Sequence, residues 1–375
     1  MTAHRGWHPV DLLIVQPTPF CNIDCTYCYL GDRSNKRRIT LETVDAIIKF
    51  LRDVPVAHPP LTVCWHAGEP LVVPVSCYER IFERFATTPG IPTVQHCFQT
   101  NATLINDEWC EFFKRWSARV GVSVDGPPSI HDLHRVDRSG RGTFERTSHG
   151  ISKLREHKVP FNVISVLTKE SLEAPDEIWQ FYRSNGVTYV GFNIDEQEGS
   201  HELSSLNPNE HLTKFREFMS RIAELQQEDS EIQVREIDDM RKNLTAPPTA
   251  ELRKSDNIPG AILNIDVDGN LTTFSPELLG TVHPRYGQFA WGNVHVDSWE
   301  QIAQNAKFQH AHGDIQAGVE LCRESCPYFA VCGGGAPSNK LAEHGTFAAA
   351  ETKWCRFHIQ AVADIVIERL ERQIG

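Results

Sequence analysis

Cys21-Asn22-Ile23-Asp24-Cys25-Thr26-Tyr27-Cys28 decides how this chain is read. Three thiols fall within eight residues, separated by three residues and then by two. An apolar run, Leu12-Leu13-Ile14-Val15, precedes them and reads as a β-strand, so the cysteines ride the loop that leaves it. Thiolates this close can hold three irons of an iron–sulfur cube and leave the fourth open to a substrate or cofactor. Zinc is the alternative, although structural zinc usually takes four protein ligands in a pair-plus-pair spacing. A disulfide is disfavoured, because Met1 to His8 lacks the apolar core of a secretory signal.

Outward from that loop, strand and helix patterns alternate. Apolar β-branched runs fall at Leu12–Val15, Leu61–Trp65, Thr93–Phe98, Arg119–Val124, Phe161–Leu167 and Val187–Ile194. Helical patterns lie between them at Leu41–Leu51, Ser76–Phe85, Asp107–Trp116 and Thr143–His157. Buried strands alternating with helices imply a parallel sheet. Six such units make an α/β fold of the partial (β/α)6, TIM-like barrel type, with polar motifs clustered after the strands. A doubly wound open sheet is the alternative.

Composition narrows the class of partner. The chain has 375 residues and a net charge of -12, so a nucleic-acid partner is not expected. No apolar run is long enough to span a bilayer, and a cytoplasmic setting with reduced thiols is expected. Of the 11 cysteines, seven form two groups. Cys64, Cys77, Cys97 and Cys110 read as small core residues.

The three-cysteine spacing, with Tyr27 just before the last thiol, resembles the radical S-adenosylmethionine (SAM) superfamily. That resemblance implies a [4Fe-4S] cluster on Cys21, Cys25 and Cys28 whose open iron chelates SAM. An electron then cleaves SAM to a 5′-deoxyadenosyl radical, which takes a hydrogen from the substrate. An external donor of flavodoxin or ferredoxin type is expected to supply the electron. Ala67-Gly68-Glu69-Pro70 follows the second strand and is similar to the family's Gly-Gly-Glu-Pro motif, with Ala67 in place of the first glycine. The motif holds the SAM amino group, and Glu69 is the candidate acceptor for that ammonium. A plain turn is the alternative for these four residues. Asn101, Ser123 and Asp125 match positions lining SAM, near ribose hydroxyls or the substrate; caps and turns are their plainer reading. Arg135 matches the family's partner for the SAM carboxylate, with a surface salt bridge as the alternative. The backbone near Leu167 matches an adenine contact. Asp195 and Glu196 after the sixth strand could bind a peptide or act as bases, with solvated loop charge as the equal alternative, and Glu277 further on is another acid that could accept a proton.

A second module is expected from residue 258 to 375, after a barrel spanning 1–240 and a linker at 241–257. Asn264 to Phe274 reads as a β-hairpin with Asp268-Gly269 at its turn. A helix is expected from Ser298 to Lys307. Cys322, Cys326, Cys332 and Cys355 supply four thiols, enough for all corners of a second [4Fe-4S] cluster, with zinc as the rival. An amphipathic helix, 357–374, closes the chain against the barrel. The module resembles the SPASM domain of radical SAM enzymes that modify peptides and proteins. Full SPASM domains carry two auxiliary clusters. Here Phe274-Ser275 replaces the Cys-Asp of one motif and Ala336 replaces another cysteine, so one auxiliary cluster, and two clusters in all, are expected. Ser275 also stands where sulfatase maturases keep a basic Asp, which argues against that activity.

The run Cys332-Gly333-Gly334-Gly335-Ala336-Pro337-Ser338-Asn339-Lys340 is similar to that of peptide maturases that form three-residue cyclophanes. The expected activity is therefore a crosslink in a ribosomally made precursor peptide, joining an aromatic ring carbon to a nearby β-carbon. Thioether formation is the alternative within the fold. A non-catalytic iron–sulfur peptide-binding or regulatory protein is the alternative of another class. Twenty residues precede Cys21 and twenty follow Cys355, so the precursor is expected to be gripped at the barrel mouth or a strand edge rather than by a separate domain.

Overall fold

The computed structural model describes residues 7–247 and 254–374. Six parallel strands form the barrel wall in sequence order: β1 (Leu12–Val15), β2 (Leu61–Trp65), β3 (Val94–Thr100), β4 (Arg119–Ser123), β5 (Phe161–Leu167) and β6 (Tyr189–Ile194). A two-residue β7 (Gln233–Val234) extends the β6 edge in parallel. The sheet is open, as a partial barrel requires. Alternation along each strand sends one set of side chains into the helix layer. Val63, Trp65, Phe98, Val163 and Leu167 are buried, with Trp65 and Phe98 packed on the rings of Tyr78 and Phe82.

The helices start where the sequence caps them. Thr40 accepts a hydrogen bond from the Thr43 N–H, and Asn106 from Trp109. Helix Pro208–Glu228 has Asn207 as cap and proline at its first position. The first two of these helices start at the residues expected from the sequence, Leu41 and Asp107.

The C-terminal module is not separate from the barrel at the level of the sheet. β8 (Ile262–Ile265) pairs in parallel with β1, and β9 (Asn270–Thr273) folds back antiparallel on β8. β1 therefore lies inside a ten-stranded sheet, and β8 covers an edge that would otherwise offer unpaired backbone groups. The expected Asp-Gly turn joins β8 to β9, with Gly269 at φ +81°. A short ribbon of β10 (Val282–His283) and β11 (Gly287–Gln288) follows, and β12 (Gly292–Asn293) pairs with β9.

Three expectations are adjusted. The linker expected at 241–257 begins as helix, because Arg235–Thr245 runs into it; residues 248–253 of that linker lie outside the described residues, as do Met1 to Gly6 of the N-terminal reading. The single helix expected from Ser298 to Lys307 is two, Trp299–Ala303 and Ala306–Ser325. The break has a local cause: Asn305 accepts from the N–H groups of Lys307 and Phe308 and starts a new helix. The closing helix begins as a π-helical segment, Cys355–Ala361, before turning α-helical at Val362–Ile374. No described helix is long and apolar enough to cross a membrane.

Candidate active site

The cysteine loop leaves the C-terminal end of β1 and is pinned on both sides. The Asp24 and Thr26 N–H groups donate to the carbonyls of Val136 and His134, at 2.7 and 3.0 Å. Arg138 donates to the Cys21 carbonyl and Arg33 to that of Cys25, both at 2.9 Å. The three thiols face a cavity of about 330 Å³ at the barrel mouth. Burial pushes the Cys21 thiol up, and that of Cys25 to about 12, so their ionised form needs a cation beside them.

The Ala67-Gly68-Glu69-Pro70 turn packs under this loop. Ala67 and Gly68 both take the left-handed conformation, at φ +69° and +68°. A Cβ on Gly68 would lie 2.3 Å from the Thr18 carbonyl oxygen, so only glycine lets the two loops touch. The Glu69 N–H donates to the Phe20 carbonyl at 2.8 Å. The Glu69 carboxylate is 1 % exposed and accepts from the Leu71 N–H, the Thr100 hydroxyl and the Asn101 N–H at 2.9, 2.7 and 2.8 Å. Burial raises it to about 7 against the pull of those three donors. Pro70 opens a short 3-10 turn, and its carbonyl accepts from the Tyr78 hydroxyl. Asn101 lines the cavity; its amide N–H donates to Asn22 Oδ1 at 2.9 Å and lies 3.8 Å from Cys21 Sγ.

Asp125 differs from expectation. The Asp125 carboxylate accepts from Arg135 Nε and Nη2, both at 3.0 Å, from the Val166 N–H at 2.9 Å and from the Tyr27 hydroxyl. Its acceptor positions are spent inside the wall, so the expected approach to ribose or substrate is not available to this side chain as it stands. Burial, the largest single influence, would lift it, but Arg135, His131 and the Tyr27 hydrogen bond together hold the carboxyl below its usual range. Arg135 is buried, not the surface salt bridge held open as its alternative. Its Nη1 points at the cavity, 4.0 Å from Cys25 Sγ, and its guanidinium lies over the Tyr27 ring. Ser123 lines the cavity and accepts from Gln99. On β5 the pleat turns Ile164 and Val166 to the cavity and Leu167 to the core; the Leu167 carbonyl accepts from the Asp195 N–H.

Acids close the opposite side. Asp195 accepts from the Ser205 N–H and meets His201 Nε2 at 2.8 Å. Glu196 and Glu198 both accept from Asn339 Nδ2. Glu277 accepts from the Ser275 hydroxyl, so the serine in the maturase-Asp position orients a carboxylate two residues on. Phe274, buried at φ +83°, turns the chain there. Burial first, and Glu277 next, raise Glu196 to about 8. Burial, then Glu196 and Glu277, push Glu198 well up. Sequence reasoning missed Glu198 and Asn339. The Glu196-x-Glu198 alternation was a usable signal for the first; Asn339 stood in the quoted 332–340 run but was given no role there. Tyr29 and His66, 3.3 Å apart between the cluster loop and these acids, were missed as well.

Cys322, Cys326, Cys332 and Cys355 line a second small cavity with Gly334 and Gly335. The Gly335 N–H donates to Cys332 Sγ at 3.2 Å, the Thr352 hydroxyl to Cys355 Sγ at 3.1 Å, and Lys340 Nζ to Cys322 Sγ at 3.3 Å. Donors aimed at sulfur fit thiolates. Among the described residues no three His, Cys, Asp or Glu side chains converge as ligands of one metal ion would. A cube instead spreads its thiolates over separate corners, and each cysteine group lines one cavity, which is compatible with that demand.

Residues 15–195 match the Radical SAM superfamily. An uncharacterised protein of Synechocystis, sll1766, is 43% identical over 98% of this chain and 94% of its own length. The serine-type anaerobic sulfatase-maturating enzyme of Bacteroides thetaiotaomicron is 31% identical over 53% of this chain and 50% of that one. Among solved structures, native anSMEcpe with bound AdoMet and Kp18Cys peptide superposes with a TM-score of 0.78 at 20% identity, covering 98% and 99% of the two chains. Streptococcus suis SuiB bound to its precursor peptide SuiA gives 0.67 at 15% identity over 94% and 77%.

Proposed function

We propose that this chain, which belongs to the radical SAM superfamily of enzymes, crosslinks a ribosomally made precursor peptide, joining an aromatic ring carbon to a nearby β-carbon. One observation carries the reading. A single cavity has the Cys21, Cys25 and Cys28 loop with Arg135 on one side and Glu196, Glu198 and Glu277 on the other. A cluster with SAM supplies the hydrogen-abstracting radical when bound. The chain's own residues do the rest. Cys21, Cys25 and Cys28 hold that cluster. Arg135 offers Nη1 to the SAM carboxylate, while its other face is locked by Asp125 and Tyr27. The Gly68–Glu69 turn shapes the place for the ammonium. Asn101, Ser123, Ile164 and Val166 bound the nucleoside side of the cavity.

The balance of the crosslink fits the opposite wall. The peptide loses a hydrogen atom from its β-carbon, the new C–C bond forms on the ring, and one electron and the ring proton leave. Rearomatisation makes that proton strongly acidic, so even partly protonated carboxyls can share it. Glu277, Glu196 and Glu198 are the proposed acceptors; Asp195 is the poorer candidate, being already paired with His201. The Cys322, Cys326, Cys332 and Cys355 group is the proposed electron exit, as a second [4Fe-4S] cluster, and a flavodoxin- or ferredoxin-type protein the proposed donor. The relatives with bound peptides support a peptide substrate. The sulfatase-maturing relative matches over about half its length, and Ser275 still argues against that activity.

The test is mass spectrometry of a cognate precursor after anaerobic turnover. Loss of two hydrogens per crosslink, mapped between a ring and a β-carbon, is the expected result. A two-hydrogen loss mapping to a cysteine sulfur would replace this reading with thioether formation. SAM-independent peptide binding without any mass change would favour a non-catalytic role.

A further inference from the structure

Lys340 is 2 % exposed, and among the described residues no carboxylate pairs with it. Its ammonium donates to the Gly318 carbonyl at 2.8 Å and to Cys322 Sγ at 3.3 Å. Two glycines lie close against it. Helix Ala306–Ser325 carries glycine at 318, where a Cβ would lie 2.2 Å from the Phe347 carbonyl and 3.2 Å from Lys340 Nζ. At Gly335 a Cβ would stand 3.4 Å from Cys355 Sγ and 3.7 Å from the lysine's Cε. A buried ammonium without an anion is costly, and a carbonyl dipole alone does not neutralise it. The anion it faces is the thiolate set of Cys322, Cys326, Cys332 and Cys355.

We infer that Lys340 is the internal counter-cation of the auxiliary cluster and sets its reduction potential, making that cluster the better electron acceptor. The inference rests on the reading that these four thiols hold a [4Fe-4S] cluster. Reduction adds one negative charge to the cube. A fixed positive charge in contact with a ligand sulfur, in a site shielded from water, stabilises the reduced form more than the oxidised one. The other donors to these sulfurs, the Gly335 N–H and the Thr352 hydroxyl, are neutral and act on Cys332 and Cys355. Lys254 also acts on Cys355, but its charge is shared with Asp256 at 3.5 Å and with the Trp354 ring. Lys340 is thus a positioning residue for electrons. It would bias the ring radical's electron toward the C-terminal cluster.

The experiment is a redox titration followed by electron paramagnetic resonance on the full chain with both clusters loaded, with and without SAM. The component that SAM leaves unchanged is the auxiliary cluster, since only the other has an open iron. Lys340→Met is expected to lower its midpoint potential by at least 59 mV, a tenfold change for one electron. Lys340→Gln, which keeps N–H donors but no charge, is expected to fall with it. Lys340→Arg is expected to shift less than half as far. A Lys340→Met or Lys340→Gln protein titrating at the wild-type potential overturns the inference. Loss of the auxiliary signal from both neutral variants, with retention in Lys340→Arg, supports it, because charge is then what holds the cluster. Loss in all three makes the residue a packing element and overturns it. A wild-type protein without any SAM-insensitive component overturns the cluster reading itself, and the inference with it.

Discussion

Ala67 is a residue held in a conformation that favours glycine, at φ +69°. A left-handed non-glycine costs about 1–2 kcal/mol, partly offset by the entropy glycine adds to the unfolded chain. Ala67→Gly is therefore expected to stabilise the protein by about 0.5–1 kcal/mol in urea unfolding. Gly68→Ala has no such freedom, and its clash with the Thr18 carbonyl should strip iron from the N-terminal site. Glu69→Gln keeps shape but turns an amide N–H₂ toward donors that the carboxylate now accepts. A buried donor left without an acceptor costs about 1–3 kcal/mol. Weaker SAM binding with the cluster spectrum retained is the expected result, read by SAM-induced change in the paramagnetic signal. At this scale the sequence was informative wherever function depends on spacing, as in the Cys21, Cys25 and Cys28 loop and the turn at 67–70. It misread Asp125, expected near ribose or substrate, because the donors that reach this carboxylate are set by the fold. Arg135, Tyr27 and Val166 come from three separate segments, and their convergence leaves no local trace.

At the scale of elements, the strands and most helices were legible because apolar periodicity is a local property, and β1 to β6 match it closely. The failures have local causes of another kind. Asn305 stops one helix and starts the next, a cap that reads equally well as a mid-helix polar residue. The π-helical segment Cys355–Ala361 has no sequence signature. It matters for function, since it sets where Cys355 points relative to the α-helix that follows. That helix is anchored to the barrel by Arg216 to Asp364 at 2.7 Å, and Phe357 within the π segment packs on Phe215. Deleting Ile359 to restore α-helical winding should rotate Cys355 out of its group by about 100°. Iron is then expected to fall from about eight per chain toward about four, with SAM cleavage retained. Unchanged iron would show that Cys355 is not a ligand.

Across the whole molecule, the acids at the cavity come from the loop after β6 and from the segment after β9, and Asn339 from a third element donates to both Glu196 and Glu198. Only the complete sheet, with β8 laid on β1, brings them together. Their burial has a pH consequence. Glu196 has an ordinary value of 4.5 and is raised to about 8 in the fold, by burial and then by Glu277. The folded state therefore holds a proton that the unfolded chain releases between those values. Its contribution to stability is present below about pH 4.5 and is lost as pH rises through about 8. Glu196→Gln should remove this dependence, raising the unfolding temperature relative to wild type more at pH 8.5 than at pH 5 (two settings chosen to bracket the titration roughly). A constant difference at both pH values would show that Glu196 is already ionised in the fold.

The central claim is that a radical formed beside Cys21, Cys25 and Cys28 removes a β-hydrogen from a peptide held against the acids at 196, 198 and 277. The direct measurement places deuterium at the β-carbon of the crosslinked residue in a cognate precursor. After anaerobic turnover, the label should appear in 5′-deoxyadenosine, and replacing Cys21, Cys25 and Cys28 with Ala should abolish that product. Label retained in a crosslinked peptide, or 5′-deoxyadenosine formed by the triple variant, would contradict the account.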